Sequence, residues 1–336
     1  MINSDRVVRL SLPSKGRMEE ESINFLKACG LKVYKTNPRQ YEARIPSLPG
    51  LTVIFQRPGD IVVSVREGSV DFGISGLDVI EERKGDQDSV LTLHDDLKFG
   101  SCSLALAVPE ELDVRNMRDL QWFAGKSEMP LRVATKFPVL TARFLDQHEI
   151  TYKLISAEGA LETAPTIGYA DIISDLVSSG QTLRDNRLRQ IEGGLILKSQ
   201  AALIANVRSL KRNPVTLDLA QRLLEYIEAY QRAEECLAVF ANMRGSSPQA
   251  IGEKIFKQTS LGGLQGPTIS PIIAPDGDPN WFAVNVVVQR KDIFQAVEDL
   301  RSIGGSGVVV MPVSYIFEEE PPRISALHKT LAKIAD

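Results

Sequence analysis

Between Ala170 and Asn186 an apolar stretch, Ile172-Ile173-Ser174-Asp175-Leu176-Val177, runs into Ser178-Ser179-Gly180-Gln181-Thr182 and then a polar helix start. Backbone N–H groups at such a start lack intrahelical acceptors and carry partial positive charge. With the hydroxyls of Ser178, Ser179 and Thr182 they can surround a phosphate monoester. Gly180 permits a positive φ and a close backbone approach, and Gln181 falls inside the same turn. Asp175, near the end of an apolar strand, is an expensive carboxylate unless it is hydrogen-bonded, and a ribose diol supplies the donors. Taken alone, the turn equally describes an ordinary strand–turn–helix capped by a serine.

Cations and small residues recur at other strand ends. Ser14-Lys15-Gly16-Arg17 follows the first β-rich run and offers Lys15, Arg17 and a flexible Gly16, a turn suited to a polyphosphate, although loop Lys and Arg are usually only solvated. Arg39 in Asn37-Pro38-Arg39-Gln40-Tyr41 and Arg57 in Gln56-Arg57-Pro58-Gly59-Asp60-Ile61 stand beside turns, where a guanidinium fork matches phosphate oxygens. Asp60 reads most simply as a helix N-cap. Gly76 and Asp78 belong to a further strand end, where Gly76 either admits a flat ring or phosphate or makes a tight left-handed turn. Glu162 lies at a helix start, where the dipole alone accounts for an acid. Paired with Asp175 across a cleft, it would hold sugar hydroxyls or the waters of Mg²⁺, an ion that takes few protein ligands.

These residues need a scaffold of strand ends. Short β-rich runs at 7–12, 51–55 and 71–74 alternate with helical stretches at 19–29 and from Asp60. A second set follows at 103–108, 131–135, the helix after Pro138, and 152–155. Such alternation predicts mostly parallel sheets with helices on both faces, hence an α/β core of two lobes with ligands beyond the carboxyl ends of the strands. Past Asn213-Pro214 a long helix leads into runs at 237–243, 248–256, 268–274, 281–288, 291–303 and 307–311, which spell βαββαβ, a ferredoxin-like unit. Ile324, Leu327, Leu331 and Ile334 then mark a terminal helix after Pro321-Pro322, its apolar stripe docked on its own protein. The expected division is 1–102 with 190–225 as lobe I, 103–189 as lobe II, and 226–336 as the third domain. No internal repeat is visible.

A chain of 336 residues that is 43% hydrophobic can bury a large core. Its 39 basic and 43 acidic residues, net −4, give no global attraction to nucleic acid or membrane, so an anion site has to be built locally. Without a signal-peptide core or a bilayer-length apolar run, the expected location is the cytoplasm, or an organelle if a targeting segment has been removed. Cys29, Cys102 and Cys236 form no metal-ligand spacing with His94, His148 and His328, and are read as reduced and mostly buried. Three histidines also argue against a Ser-His-Asp hydrolase, leaving charge and positioning as the chemistry.

Several segments in order resemble the ATP phosphoribosyltransferase family, in its long form and with plant-type wording. They are Pro13 to Arg17, Arg57 to Ile61, Asp71 to Asp78, and the signature Asp175 to Leu183 with Ser179 in place of threonine. Ile196 to Asn206, Gly266 to Pro271 and Ile303 to Pro312 follow. The resemblance implies a two-lobed core like a type II periplasmic binding protein and a C-terminal ACT-like domain that binds histidine as inhibitor. It also implies a homohexamer exchanging with dimers, and Mg²⁺ dependence. The implied substrates are ATP and phosphoribosyl pyrophosphate. In that reading residues 178–182 anchor the 5-phosphate, Asp175 and Glu162 orient the ribose, and Lys15, Arg17, Arg39 and Arg57 neutralise pyrophosphate with Mg²⁺. Gly16, Gly76 and Asp78 complete the substrate contacts, and Thr268 and Gly305 are the expected effector contacts. Readings of another class are a small-molecule binding protein of the same fold, or a catalytically impaired regulator.

Overall fold

The computed structural model describes residues 7–334 apart from Thr36, Pro38, Arg39, Asp86, Gln87, 157–160, Ser260, Gln265, Pro275 and Asp276. Lobe I contains β1 (Val8–Pro13), α1 (Arg17–Ala28), β2 (Glu42–Arg44), β3 (Leu51–Gln56), α2 (Pro58–Arg66), β4 (Phe72–Gly76), α3 (Leu77–Arg83) and β5 (Val90–His94). Lobe II follows with β6 (Cys102–Pro109), α4 (Met117–Lys126), β7 (Leu131–Thr135), α5 (Pro138–Gln147), β8 (Tyr152–Ser156), β9 (Ile172–Val177), α6 (Gln181–Asp185) and β10 (Leu188–Ser199). The chain then re-enters lobe I as β11 (Ala201–Asn206) before α7 (Val207–Arg212) and α8 (Pro214–Glu234).

The sheets run β2-β3-β1-β4-β11-β5 and β10-β6-β9-β7-β8. Leaving β2 aside, both repeat one topology. Three parallel strands stand in the order second, first, third, followed by the strand with which the chain enters that lobe, antiparallel to both of its neighbours, and then an edge strand. This is the two-lobed, type II periplasmic-binding-protein-like core that was expected. β11 is buried at all six positions because helices or strands cover both of its faces, which explains its unbroken apolar run. The helices begin where the chain lacks N–H groups to lose: Pro58 and Pro138 open α2 and α5. Asp60 is therefore not the N-cap, a position held by Arg57, but an acid in the first turn of α2, where the dipole favours it.

Two boundaries differ from the sequence reading. β10 pairs with β6 as far as Ser199 opposite Cys102, so residues 190–199 belong to the sheet of lobe II and the return to lobe I comes at Gln200. Compactness divides the chain inside α8, into 1–221 with 325–336 and 222–324, because the terminal helix contacts the first unit.

The second unit holds β12 (Cys236–Arg244), α9 (Pro248–Gln258), β13 (Thr268–Pro271), β14 (Trp281–Gln289), α10 (Ile293–Ser302) and β15 (Ser306–Pro312). Its sheet order β13-β14-β12-β15 with antiparallel pairing is the ferredoxin-like arrangement. Val239, Met243, Val284 and Val286 on alternate strand positions pack against Ile251, Ile255 and Leu300 of the two helices. The terminal α11 (Pro322–Lys333) buries Leu327, and His328 Nε2 lies 2.7 Å from Gln221 Nε2. Among the described residues no helix is long and apolar enough to cross a membrane.

Candidate functional site

The described candidate residues of the core stand at or just beyond the carboxyl ends of strands, where a sheet's backbone turns toward a helix and leaves N–H groups to offer. In lobe II, β9 ends on Val177 and the chain exposes Ser178, Ser179, Gln181 and Thr182. Gly180 is the N-cap of α6 with φ 71°, so the turn requires a residue that tolerates the left-handed region. No side chain caps α6, although Ser179 Oγ accepts from the Gln181 N–H at 3.3 Å. Arg184, one turn along, donates to the Ser179 carbonyl (3.2 Å) and to Gln181 Oε1 (3.0 Å), which brings a guanidinium against the turn. A cavity of about 560 Å³ adjoins it, lined by Ser178, Ser179, Gly180 and Arg184 with Ser103 and Gln190 from the neighbouring strands.

Asp175 lies one turn of strand before this loop. Its Oδ1 accepts from the Leu176 N–H at 2.8 Å. Burial pushes its carboxyl above the ordinary aspartate range. The Leu176 N–H and the Lys136 ammonium oppose that shift, and the Glu162 carboxylate adds to it. Asp175 thus lies within electrostatic reach of Glu162, on the short 3-10 turn Leu161–Thr163, and of Lys136, just past the end of β7. Sequence reasoning missed Lys136, although Thr135-Lys136-Phe137-Pro138 carries the same strand-end, cation and proline signal that singled out Arg57. Arg184 was missed because it lies inside the helix rather than in the turn.

In lobe I, Gly16 has φ 75° and caps α1, leaving Lys15 and Arg17 exposed, with Arg17 Nε 3.5 Å from Glu21. The Ser14 N–H donates to the Gln56 carbonyl at 2.9 Å, which ties this turn to the one bearing exposed Arg57. Arg39 lies outside the described residues. Asp78 is 4% exposed and is satisfied from inside: its N–H donates to Ser199 Oγ at 3.0 Å, and that hydroxyl donates back to Asp78 Oδ1 at 2.5 Å. A Cβ on Gly76 would collide with Asp78 Oδ1, so the glycine makes room for this carboxylate, and its φ of −69° excludes the left-handed alternative. Ser199 is visible only in three dimensions, since it sits 121 positions from Asp78. Cys102, opposite Ser199, is half-buried, its thiol pushed up by burial and by Asp78, with Arg17 near enough to oppose this.

In the second unit Thr268 is exposed on β13. Gly305 follows the end of α10, where a Cβ would lie 2.6 Å from the Leu300 carbonyl oxygen. Its glycine is accounted for by backbone closure. A cavity of about 810 Å³ opens at the amino ends of β7 and β9, but there Arg132 and Asp171 neutralise each other at 2.7 Å, which makes it a poorer anion site than the carboxyl ends.

Comparison with known proteins adds identity to this geometry. The signature described as ATP phosphoribosyltransferase matches residues 57–229, and that described as HisG, C-terminal domain, matches 233–315. ATP phosphoribosyltransferase 2, chloroplastic, of Arabidopsis thaliana is 45% identical over 96% of this chain and 80% of its own length. The ATP phosphoribosyltransferase of Methanosarcina acetivorans is 33% identical over 92% of this chain and 99% of its own. Among solved structures, the ATP phosphoribosyl transferase (HisG:HisZ) complex from Thermotoga maritima aligns at a TM-score of 0.51 and 24% identity, covering 66% of this chain and 98% of that one, which is a likeness of fold.

Proposed function

The chain belongs to the ATP phosphoribosyltransferase family and is a pentosyltransferase of histidine biosynthesis, and we propose how its residues carry the reaction. N1 of the adenine of ATP attacks C1 of phosphoribosyl pyrophosphate; the C1–O bond breaks with inversion and its electron pair leaves with pyrophosphate. No protein nucleophile is needed, so the residues act by binding, orientation and charge. The observation that carries the assignment is the lobe II strand end, where a glycine-hinged, hydroxyl-rich turn stands beside an acid of raised pKa.

In this reading Ser178, Ser179, Gly180, Gln181 and Thr182 receive the 5-phosphate on backbone N–H groups and hydroxyls. Asp175 and Glu162 accept hydrogen bonds from the ribose hydroxyls, and Lys136 opposes the upward shift that burial imposes on the Asp175 carboxyl. Lys15, Arg17 and Arg57 face the pyrophosphate from lobe I, where charge grows in an oxocarbenium-like transition state, and Arg39 is proposed to join them on the family resemblance alone. Asp78 and Gly76 shape the floor of the lobe I turn. Mg²⁺ would shield the pyrophosphate. Asp175 and Glu162 fit it as outer acceptors of its water, and among the described residues no group of three or more acidic, His or Cys side chains offers a dedicated cage.

Histidine is proposed as an inhibitor bound in the ferredoxin-like domain, on the support of the match over 233–315, with Thr268 and Gly305 as the nearest candidates. A homohexamer in exchange with dimers is proposed on the family resemblance, and no nucleic-acid or membrane partner is invoked. The compartment proposed is the cytoplasm or the plastid stroma, the latter supported by the chloroplastic designation of the Arabidopsis relatives. The test is to mix the full chain with ATP, phosphoribosyl pyrophosphate and Mg²⁺ and to follow the ultraviolet absorbance of N1-ribosylated adenine, with and without histidine. A rise suppressed by histidine is expected. A rise indifferent to histidine removes the regulatory reading, and no rise from folded protein removes the catalytic one.

A further inference from the structure

α5 starts without a capping side chain of its own: Phe137 occupies the N-cap and offers no acceptor. The acceptor comes from the other lobe. Glu82, near the end of α3, receives the N–H of Val139 on Oε1 at 2.9 Å and the N–H of Leu140 on Oε2 at 3.0 Å. Both oxygens of one carboxylate thus close the first turn of a helix that is 57 and 58 positions away in sequence. Apolar contact supports the junction, since Val79 of α3 packs on the cluster of Leu104, Phe137 and Leu140.

The capped turn is mechanically tied to the phosphoribosyl side of the site. Phe137 N–H donates to Thr135 Oγ1 at 2.9 Å. Thr135 Oγ1 is 3.3 Å from Thr141 Oγ1, and Thr141 Oγ1 is 2.8 Å from Ser174 Oγ, the residue before Asp175. Thr135, Thr141 and Ser174 are buried to 1% exposure or less, so this hydroxyl chain has no water to substitute for a lost partner. Lys136 lies between the capped helix and the hydroxyl chain. The other end of α3 is fixed by the Asp78–Ser199 pair.

We propose that Glu82 is a positioning residue: by capping α5 across the lobe junction it holds the turn bearing Lys136 against Asp175. Lobe I thereby sets the geometry of the phosphoribosyl pyrophosphate half of the site without touching that substrate. The inference rests on the assignment of Asp175 to that half.

Its test is the steady-state kinetics of full-length Glu82→Gln and Glu82→Asp. In Glu82→Gln an amide NH₂ replaces one acceptor, so one α5 N–H loses its partner. The expected result is a KM for phosphoribosyl pyrophosphate raised fivefold or more, with KM for ATP within twofold of wild type. Glu82→Asp, which keeps the charge on a shorter stem, should recover part of the loss. In a Lys136→Met background the same Glu82→Gln change should add less than twofold, because the residue it positions is gone. Folded Glu82→Gln protein with both KM values unchanged, or with both raised alike, would overturn the proposal, as would full additivity with Lys136→Met. If Glu82→Gln fails to fold, the Glu82→Asp series is read by the same criteria. Failure of the underlying assignment shows separately, as Asp175→Asn leaving the KM for phosphoribosyl pyrophosphate unchanged.

Discussion

β4 and β9 hold the same place in their lobes, each the third parallel strand beside the incoming antiparallel one, and each runs into a glycine-containing turn and a short helix with an aspartate nearby. Their carboxylates have opposite circumstances. Asp78 is buried and closed on Ser199 in both directions, so protein atoms already satisfy it. Asp175 leans on its neighbour's N–H, feels Lys136 and Glu162, and stands beside exposed hydroxyls with its affinity for a proton raised by burial. Equivalent strand ends thus place their aspartates differently: Asp78, in the helix after β4, is a structural pin, whereas Asp175, still within β9, is the proposed ligand seat. The glycines divide similarly: Gly76 makes room for a carboxylate at ordinary φ, whereas Gly180 supplies the positive φ of the turn proposed to bind phosphate.

Substitutions can break this contrast. Exposed Arg57 is proposed to neutralise the leaving pyrophosphate, so Arg57→Ala should lower kcat about a hundredfold or more, roughly 3 kcal/mol of transition-state stabilisation, with circular dichroism unchanged. Near-wild-type turnover would remove Arg57 from the site. Asp175→Asn should lower kcat/KM several tenfold, in the range of about 2–3 kcal/mol for hydrogen bonds to a charged group. The same variant should melt higher than wild type without substrates. A carboxyl whose folded pKa is raised costs stability above that pKa and costs nothing below its unfolded value. The Tm advantage of the asparagine should therefore be largest at neutral pH and shrink as pH falls through the folded pKa; an advantage that grows toward acid would reverse the assignment.

Asp78→Ala should do the converse. Leaving Ser199 Oγ buried without its acceptor costs about 2 kcal/mol, read as a lower urea midpoint at unchanged slope, while KM for both substrates stays within about threefold. A larger KM change would mean that Asp78 touches substrate and that the two strand ends are alike. Gly180→Ala is the smallest effect, about 1 kcal/mol of stability for forcing a Cβ into φ 71°, with an accompanying loss of affinity for phosphoribosyl pyrophosphate measurable by calorimetry.

Much of this was legible in the chain. Alternation of strand and helix signals located the parallel strands of both lobes and the ferredoxin-like unit to within a few residues, with 131–135 and the helix from Pro138 appearing as read, because apolar periodicity and proline are local signals; β2, β5, α4, β10, β11 and α7 were not read as elements. The turn after β9 was legible for the same reason. What escaped notice was tertiary: the pairing of Ser199 with Asp78, the capping of α5 by Glu82, and the duplicated lobe topology, which leaves no repeat in the sequence because pairing order is not a side-chain pattern. Asp60 was misplaced because Pro58 starts the helix two residues earlier, and residues 190–199 because a strand's partner is not written in its own residues.

The exchange of strands between lobes also orders events on the ribosome. Lobe II is one continuous stretch from β6 to β10 and can close its sheet as soon as β10 emerges. Lobe I cannot: its sheet lacks β11, the fully buried strand between β4 and β5, until about a hundred further residues have been made. At about 5–20 residues per second, that is roughly 5–20 seconds in which β4 and β5 present unpaired apolar edges to the cell. Of the two lobes, the one begun first is the one completed last, and chaperone capture of nascent chains should peak between the synthesis of β5 and that of β11.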